Sequence, residues 1–378
     1  MMVTEFQPFE LERWQNRWEH RTRFNLAESG VQPPSVGELL TLIDTEPSEL
    51  AAVRLGYTQT NGTDELRAAI AQMYPGATGD NVLVTVGSSE ANFIAAWTLI
   101  ETGTSVAVQL PTYQQTWGVA KSLGGVVREF YLDEAQGWEL DRSSFASAVT
   151  PDTTVIAVTN PNNPTGQLLG SEARHAITSS AEKNGAWLLV DEVYRGAERE
   201  DPLTDSFWGA TPRTVITGGL SKAYGLPGLR LGWLVGPADF IEEAAARHDY
   251  AVIGAPAISD FLAVRVVNAR PKFFARTREI LQTNYVVLEK ALRTLGTELD
   301  WVPPRAGAIC YVRYRPPIGT AELVETLRRE SEVLIVPGRH FQQEQHLRIG
   351  FGDDRAQLVP GLEAAVSGLA GAFRSAAA

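Results

Sequence analysis

The sequence has one cysteine, Cys310, among 378 residues, so no intrachain disulfide framework exists and a cysteine-based metal site has no material. Positive charge is the minority sign, 33 Lys and Arg against 45 Asp and Glu, for a formal balance of −12. The basic face needed for non-specific binding to nucleic acid or an anionic membrane is therefore missing, although a local cluster of donors can hold a small anion against that field. Long apolar runs are missing too. Stretches such as 187–190 fall far short of the ~20 residues of a membrane span. The opening MMVTEFQPFELERWQNRWEH carries charge throughout and lacks the apolar core of a secretory signal. These absences lead us to expect a soluble, cytoplasmic protein with no nucleic-acid or membrane partner. The five histidines, His20, His175, His248, His340 and His346, show no metal-ligand spacing, and no metal is expected. Among them His340 draws notice because its loop, Gly338-Arg339-His340, precedes the strand-like segment 347–351.

What is present suits a packed core, with 44% hydrophobic and 21% charged residues. The length exceeds the ~100–200 residues of a usual domain, which predicts two domains, or one large domain with an appendage. Short β-branched-rich runs recur at 81–86, 105–110, 126–131, 154–159, 186–190, 214–217 and 231–235. They lack the strict alternation of a half-wet sheet and read as strands buried on both faces. Helix-compatible stretches such as 89–100, 112–123 and 171–184 lie between them. This alternation predicts an α/β fold with a mostly parallel sheet and helices on both faces. The tail reads differently: a long helical region 263–295, a strand 308–314, a turn at Pro316-Pro317, a helix 320–330, a strand 347–351 and an Ala-rich closing helix. A smaller α+β domain is expected there. The predicted division is an N-terminal segment 1–48 packing with the small domain, a large domain 49–262 and a small C-terminal domain 263–378.

Four motifs carry chemistry. Ser221-Lys222 follows strand 214–217, at the strand end where open α/β sheets place ligands, and Arg230 lies eight residues on. A lysine near a cation in a pocket can act as an imine-forming nucleophile, and an arginine fork suits a phosphate; a surface lysine and a structural arginine are the plainer alternative. Thr159–Gly166 reads TNPNNPTG, two Asn-Pro steps that turn the chain and can aim Asn163 at a ligand oxygen, or simply end a strand. Asp191, with Tyr194 three residues later, closes strand 186–190. An acid there can hold a proton on a ring nitrogen, or merely cap a helix. Gly87-Ser88-Ser89 opens a helix and forms either an anion site or an ordinary cap.

In this order the motifs resemble a class I/II aminotransferase of the fold-type-I pyridoxal 5′-phosphate enzymes, over nearly the whole chain. The resemblance implies the cofactor pyridoxal 5′-phosphate (PLP), with Lys222 as its imine-forming lysine and proton shuttle. It implies Asp191 at the pyridine nitrogen, Asn163 and Tyr194 on the phenolic oxygen, and Ser88, Ser89, Ser221 and Arg230 on the phosphate. Tyr113, in Pro111-Thr112-Tyr113, matches the aromatic that stacks on the ring. Tyr57, in Tyr57-x4-Gly62-x3-Leu66-Arg67, matches the tyrosine that reaches the neighbouring subunit's phosphate, which implies a homodimer with shared active sites. Arg348, in Leu347-Arg348-Ile349-Gly350-Phe351, matches the arginine that takes the substrate α-carboxylate, with Gly30 nearby. One departure is Gly219, where the family often has a serine, so one phosphate hydroxyl is expected to be missing.

The activity so implied is chemistry at the α-carbon of an L-amino acid, foremost transamination to a 2-oxo acid. The alternative paths are elimination, decarboxylation or cyclisation. Glu10-Leu11-Glu12-Arg13-Trp14, the segment 25–30 and SKAYGLPGLRLGW are similar to a subgroup containing capreomycidine synthase, whose members cyclise hydroxylated arginines, in specialised metabolism such as antibiotic biosynthesis. The side-chain pocket is expected from Trp14, Glu28, Tyr113, Trp117, Arg305 and Ala306. Glu28 is the candidate to meet a basic substrate side chain, or else a solvated loop carboxylate. A retired aminotransferase domain acting as an effector sensor is disfavoured, because Lys222, Asp191, Asn163 and Arg348 are all present and no basic DNA-binding region fits before residue 50.

Overall fold

The structure is a computed structural model that describes residues 6–200 and 202–377. Residues 1–5, which open the expected N-terminal segment, lie outside the described residues, as do 201 and 378. An eight-stranded sheet dominates. Its strands run spatially as Val82–Thr85, Gly232–Val235, Thr214–Gly219, Trp187–Asp191, Val155–Thr159, Ser105–Leu110, Val126–Asp133 and Glu139–Leu140. The five strands from Thr214–Gly219 to Val126–Asp133 are parallel, and antiparallel pairs close both edges. The fold is thus α/β with a mostly parallel sheet, as the sequence predicts.

Strand periodicity explains how one sheet serves two cores. Successive side chains point to opposite faces. Val155, Ala157, Leu189 and Val215 join the apolar cluster under the helices Ser88–Leu99, Gln114–Ser122 and Ala238–His248. Ile156, Val158, Leu188, Val190 and Ile216 join the larger cluster on the other face, where Ala173, Ile177 and Ala181 of helix Ser171–Asn184 pack. Both faces are dry, so the strands read as continuous apolar runs. The same alternation sends Asp191, two past Leu189, and Thr217, two past Val215, toward the face that the Ser88–Leu99 helix covers. Register places these two residues opposite each other.

A second sheet of four antiparallel strands comprises Leu299–Trp301, Ile309–Tyr314, His346–Gly350 and Val336–Pro337. Helices Arg270–Arg293, Thr320–Glu330 and Arg355–Ala377 belong to the same C-terminal region. Cys310 is fully buried in its core, and burial pushes the thiol pKa up. Phe24–Asn25 pairs in parallel with Val333–Leu334, which fastens the N-terminal segment to this region. The helical region expected at 263–295 is two helices, Ala257–Asn268 and Arg270–Arg293. Pro271 accounts for the break, since it suits the first turn of a helix and no interior position. Residue 262, the expected end of the large domain, lies inside the first of these helices. Among the described residues no helix is long and apolar enough to cross a membrane.

Glu192 leaves the sheet on the side opposite the Ser88–Leu99 helix. Its carboxylate accepts from Ser206 Oγ at 2.9 Å and Phe207 N at 2.7 Å, and Arg195 lies 4.0 Å away. Burial outweighs these partners and pushes its pKa from 4.5 up to about 7. The folded state therefore binds this proton more tightly than the unfolded state. The associated stability is complete below about pH 4.5 and lost as pH rises through about 7. The full effect is about 3 kcal/mol. In Glu192→Gln this loss is expected to vanish, so urea-unfolding midpoints of the variant and wild type should diverge as pH rises from about 5 to about 8. Parallel curves would show that Glu192 does not titrate in this window.

Candidate active site

A cavity of about 490 Å³ opens at the carboxyl ends of the parallel strands. Each motif reaches it because it follows such an end: Tyr113 after Ser105–Leu110, Asn163 after Val155–Thr159, Asp191 and Tyr194 at Trp187–Asp191, and Lys222 after Thr214–Gly219. The helix Glu10–Trp18 closes one side, contributing Glu12 and Gln15 with Phe9 and Glu19 at its ends. It is tied to the large sheet by Leu11 N donating to Gln114 Oε1 at 3.2 Å and Gln114 Nε2 to the Pro8 carbonyl at 2.7 Å. On its other flank Arg328 stacks on Trp18 at 3.8 Å, and Gln15 Nε2 donates to the Ala27 carbonyl at 3.3 Å.

Lys222 Nζ donates to Glu28 Oε1 at 3.0 Å. The same oxygen accepts the backbone N–H groups of Ser29 and Gly30, each at 2.8 Å. The Lys222 ammonium, first, and these N–H donors hold the Glu28 pKa down at about 2, against the cost of burial. Burial by itself depresses the Lys222 pKa, but Glu28 and Tyr194 override it and the net direction is up. Gly30 lies against this pair: a Cβ there would sit 3.3 Å from Glu28 Oε1 and 3.7 Å from Lys222 Cδ.

Helix Ser88–Leu99 begins at Gly87-Ser88-Ser89, with Ser221 and Arg230 beside it on the cavity wall. Gly87 has φ +84°, and a Cβ on it would meet the Arg230 guanidinium at 2.6 Å. Glycine is therefore required both for the turn and for the approach of the arginine. A Cβ on Gly232 would lie 2.4 Å from backbone atoms of Gly87 and Ser88. At Gly219 a Cβ would lie 3.1 Å from the Leu231 carbonyl and 3.4 Å from Ser88 Cβ. The departure at Gly219 thus coincides with a tight seat for the helix start.

Asp191 is buried, with Oδ1 accepting Val193 N and Oδ2 accepting Asn92 Nδ2, both at 2.9 Å. Burial raises its pKa, and these donors oppose that rise. No salt bridge to a cation reaches it among the described residues. Arg348, 1% exposed, donates to Asn163 Oδ1 at 3.0 Å and to the Ala27 carbonyl at 2.8 Å. Burial pulls its guanidinium pKa down. The bond from Arg348 turns the Asn163 amide nitrogen into the group free to donate into the cavity. Tyr194 is buried and its hydroxyl has no partner among the described residues. Tyr113 donates its hydroxyl to Glu12 at 2.5 Å, and Phe9 packs edge-on against its ring at 5.1 Å.

These observations fit PLP. A cationic and N–H-rich cradle suits a phosphate, a buried carboxylate lacking a cation suits a protonated ring nitrogen, and an orphaned hydroxyl beside a free amide suits a phenolic oxygen. Lys222 supplies the amine for the carbonyl carbon.

Some expected residues lie elsewhere. Tyr57 is 92% exposed and does not line the cavity. Neither do Trp14, Trp117, Arg305 and Ala306. Trp117 is buried in the cluster beneath the sheet. Trp14 packs on His340 at 5.8 Å, and the backbone N–H groups of Arg305 and Ala306 both bond the Gly166 carbonyl. His340 is buried, its pKa lowered to about 4 by burial and then by Arg339 and Arg348. The wall near Tyr113 comes instead from Phe9, Glu12, Gln15 and Glu19. Sequence reasoning also missed Asn92, Gln115 and Thr159 on the cavity wall. Asn92 had a signal, since it lies four residues after Ser88 and shares its helix face.

The profile of the aminotransferase class I and II family matches residues 35–364. Among curated proteins, capreomycidine synthase of Streptomyces vinaceus is 31% identical over 360 residues, covering 94% of this chain and 92% of the relative. An aspartate aminotransferase of Streptomyces avermitilis is 28% identical, covering 81% and 79%. Among solved structures, a PLP-dependent aminotransferase from Streptococcus suis superposes with TM-score 0.91 at 27% identity, covering 99% of both chains. The PLP-dependent cyclase OrfR superposes with TM-score 0.87 at 28% identity, covering 97% of both.

The Gly232 contact makes a direct test of the cradle. Gly232→Ala is expected to push the helix start off the sheet, costing about 1–3 kcal/mol of stability and weakening retention of PLP on gel filtration. Gly371→Ala, whose Cβ would meet open space in the closing helix, should leave retention unchanged and raise stability by up to about 1 kcal/mol. Equal melting midpoints and equal retention in the two variants would refute the tight-seat reading.

Proposed function

The chain belongs to the class I and II aminotransferases, a family of PLP-dependent enzymes, and on that footing we propose that it transfers the α-amino group of an L-amino acid to a 2-oxo acid. The observation that carries this reading is the convergence of Lys222, Asp191, Asn163, Tyr194 and Arg348 on one cavity. When bound, PLP supplies an electron sink for the negative charge that develops at the substrate α-carbon.

The chain's own residues would divide the remaining work. Ser88, Ser89, Ser221 and Arg230 hold the phosphate. Asp191 keeps the proton on the ring nitrogen, and Asn163 and Tyr194 donate to the phenolic oxygen. Tyr113 covers one ring face, its orientation set by Glu12 and Phe9. Arg348 has donor protons left after serving Asn163 and Ala27, and these take the substrate α-carboxylate. Lys222 Nζ removes the α-proton and returns it, as the general base and acid of the reaction.

A second reading has specific support. Capreomycidine synthase and the cyclase OrfR are among the relatives, and the same proton removal can lead to elimination or cyclisation of a hydroxylated, arginine-like substrate. Glu12, Glu19 and Glu28 line the cavity. A Lys222 that acts as general base must be neutral, so Glu28 then loses its cation and becomes available to a guanidinium or ammonium. Both readings therefore favour a substrate with a cationic side chain.

We further propose a cytoplasmic homodimer in which Tyr57 reaches the partner's phosphate. Its support is an exposed apolar set, Leu55, Tyr57, Tyr250, Val252 and Ile253, with the Tyr57 loop joined to the Tyr250 loop through Thr58 Oγ1 and the Ala255 carbonyl at 3.0 Å. The large and small domains would meet near Ala269, where the helix is interrupted.

The deciding experiment mixes holoenzyme with a panel of L-amino acids without any 2-oxo acid, followed by absorbance and product mass. Transamination predicts conversion that stalls after one turnover and resumes when a 2-oxo acid is added. Sustained turnover without an acceptor would overturn it in favour of elimination, decarboxylation or cyclisation. Arginine-like substrates should outperform neutral ones in kcat/KM, and Glu28→Gln should cut that preference about tenfold. An unchanged ratio would remove Glu28 from substrate selection.

A further inference from the structure

The cavity contains a polar side chain with no place in the assignments above. Asn92 sits on the second turn of the helix whose first turn carries Ser88 and Ser89. Its Nδ2 donates to Asp191 Oδ2 at 2.9 Å, and its Oδ1 accepts the Thr217 hydroxyl at 2.6 Å. Thr217 stands opposite Asp191 in the parallel strand pair, on the same sheet face. A threonine hydroxyl donating to the amide oxygen leaves the amide only one orientation, with the NH₂ group facing the carboxylate. The second proton of that group points to Gln115 Oε1 at 3.4 Å, and Gln115 Nε2 donates to the Ser89 carbonyl at 2.7 Å. A continuous chain of hydrogen bonds thus joins the phosphate cradle to the acid beneath the ring.

We infer that Asn92 is a positioning residue that holds the Asp191 carboxylate ionised and in a fixed plane, with Thr217 setting the direction of its amide. The need is physical. Burial favours the neutral carboxyl, and no cation of the described chain reaches Asp191 by a salt bridge. Hydrogen bonds to a carboxylate favour its charged form. Asn92 supplies the leading such bond and the Val193 N–H the next, and the Thr217 hydroxyl adds to them. Removing Asn92 raises the proton affinity of Asp191, so the proton shared with the ring nitrogen shifts toward the carboxylate. A ring nitrogen that loses its proton withdraws electrons less strongly from the α-carbon. Substrate binding, which runs through Arg348, is untouched.

This inference rests on the PLP assignment and not on which substrate or outcome is correct. The test loads wild type, Asn92→Leu and Thr217→Val with PLP carrying ¹⁵N in its ring and records the ¹⁵N resonance without substrate. Wild type should show a protonated ring nitrogen. Asn92→Leu should move the resonance toward neutral pyridine, and Thr217→Val should move it the same way by less. In single-turnover reaction with an amino acid, Asn92→Leu should slow the step roughly tenfold at unchanged substrate affinity. A wild-type resonance in Asn92→Leu overturns the inference. Should that variant fail to fold, a wild-type resonance in Thr217→Val overturns it equally, because that change deletes the hydroxyl that orients the amide and itself supports the carboxylate. Failure of wild type to bind PLP would instead overturn the cofactor assignment, and the inference with it.

Discussion

The close seating of one helix end on two strand ends is the constraint on which the site depends. Helix Ser88–Leu99 starts so near Gly219 and Gly232 that a side chain on Gly232 would overlap its backbone. That proximity brings the positive end of the helix and its free N–H groups to the cavity floor. It also sets the second turn of the helix directly over the ends of Trp187–Asp191 and Thr214–Gly219. A phosphate cradle and a supported carboxylate are thus two products of a single packing contact. Moving the helix outward by the width of a methyl group would loosen both.

The roof is assembled from parts far apart in the chain. Arg348 bonds Ala27, 321 positions earlier, and Asn163, 185 positions earlier. The N-terminal segment joins the small sheet through Phe24–Asn25 and the large sheet through the helix Glu10–Trp18. Its glutamates meet Lys222 and Tyr113, so the N-terminal segment supplies most of the acidic wall.

Legibility in the sequence followed the range of the interaction. The central strands announced themselves because both faces are dry, and Lys222, Asp191, Asn163 and Arg348 could be picked out because each adjoins a strand in a local motif. Residues that act across the fold were harder. Trp117 is expected in the pocket, yet its helix turns that face, which also carries Ala120, toward the sheet core. Glu28 reads in the sequence as a substrate contact or a loop carboxylate, and its partner Lys222, 194 positions away, lies beyond the reach of any local pattern. Asn92 carried a helical spacing to Ser88 but no motif, and its meaning depends on Thr217 from another strand. The break at Ala269 is marked in the sequence by Pro271 alone, with helix-compatible residues on either side of it.

Cys310 offers a consequence of a different kind. It is the chain's one sulfhydryl, fully buried on the central strand pair of the small sheet, and burial keeps it in the unreactive thiol form. A thiol reagent in solution therefore has a single target, and it reaches that target only when this sheet opens. The rate of modification counts those openings directly. The small sheet thus carries its own clock, readable with no label introduced and no residue of the cavity altered.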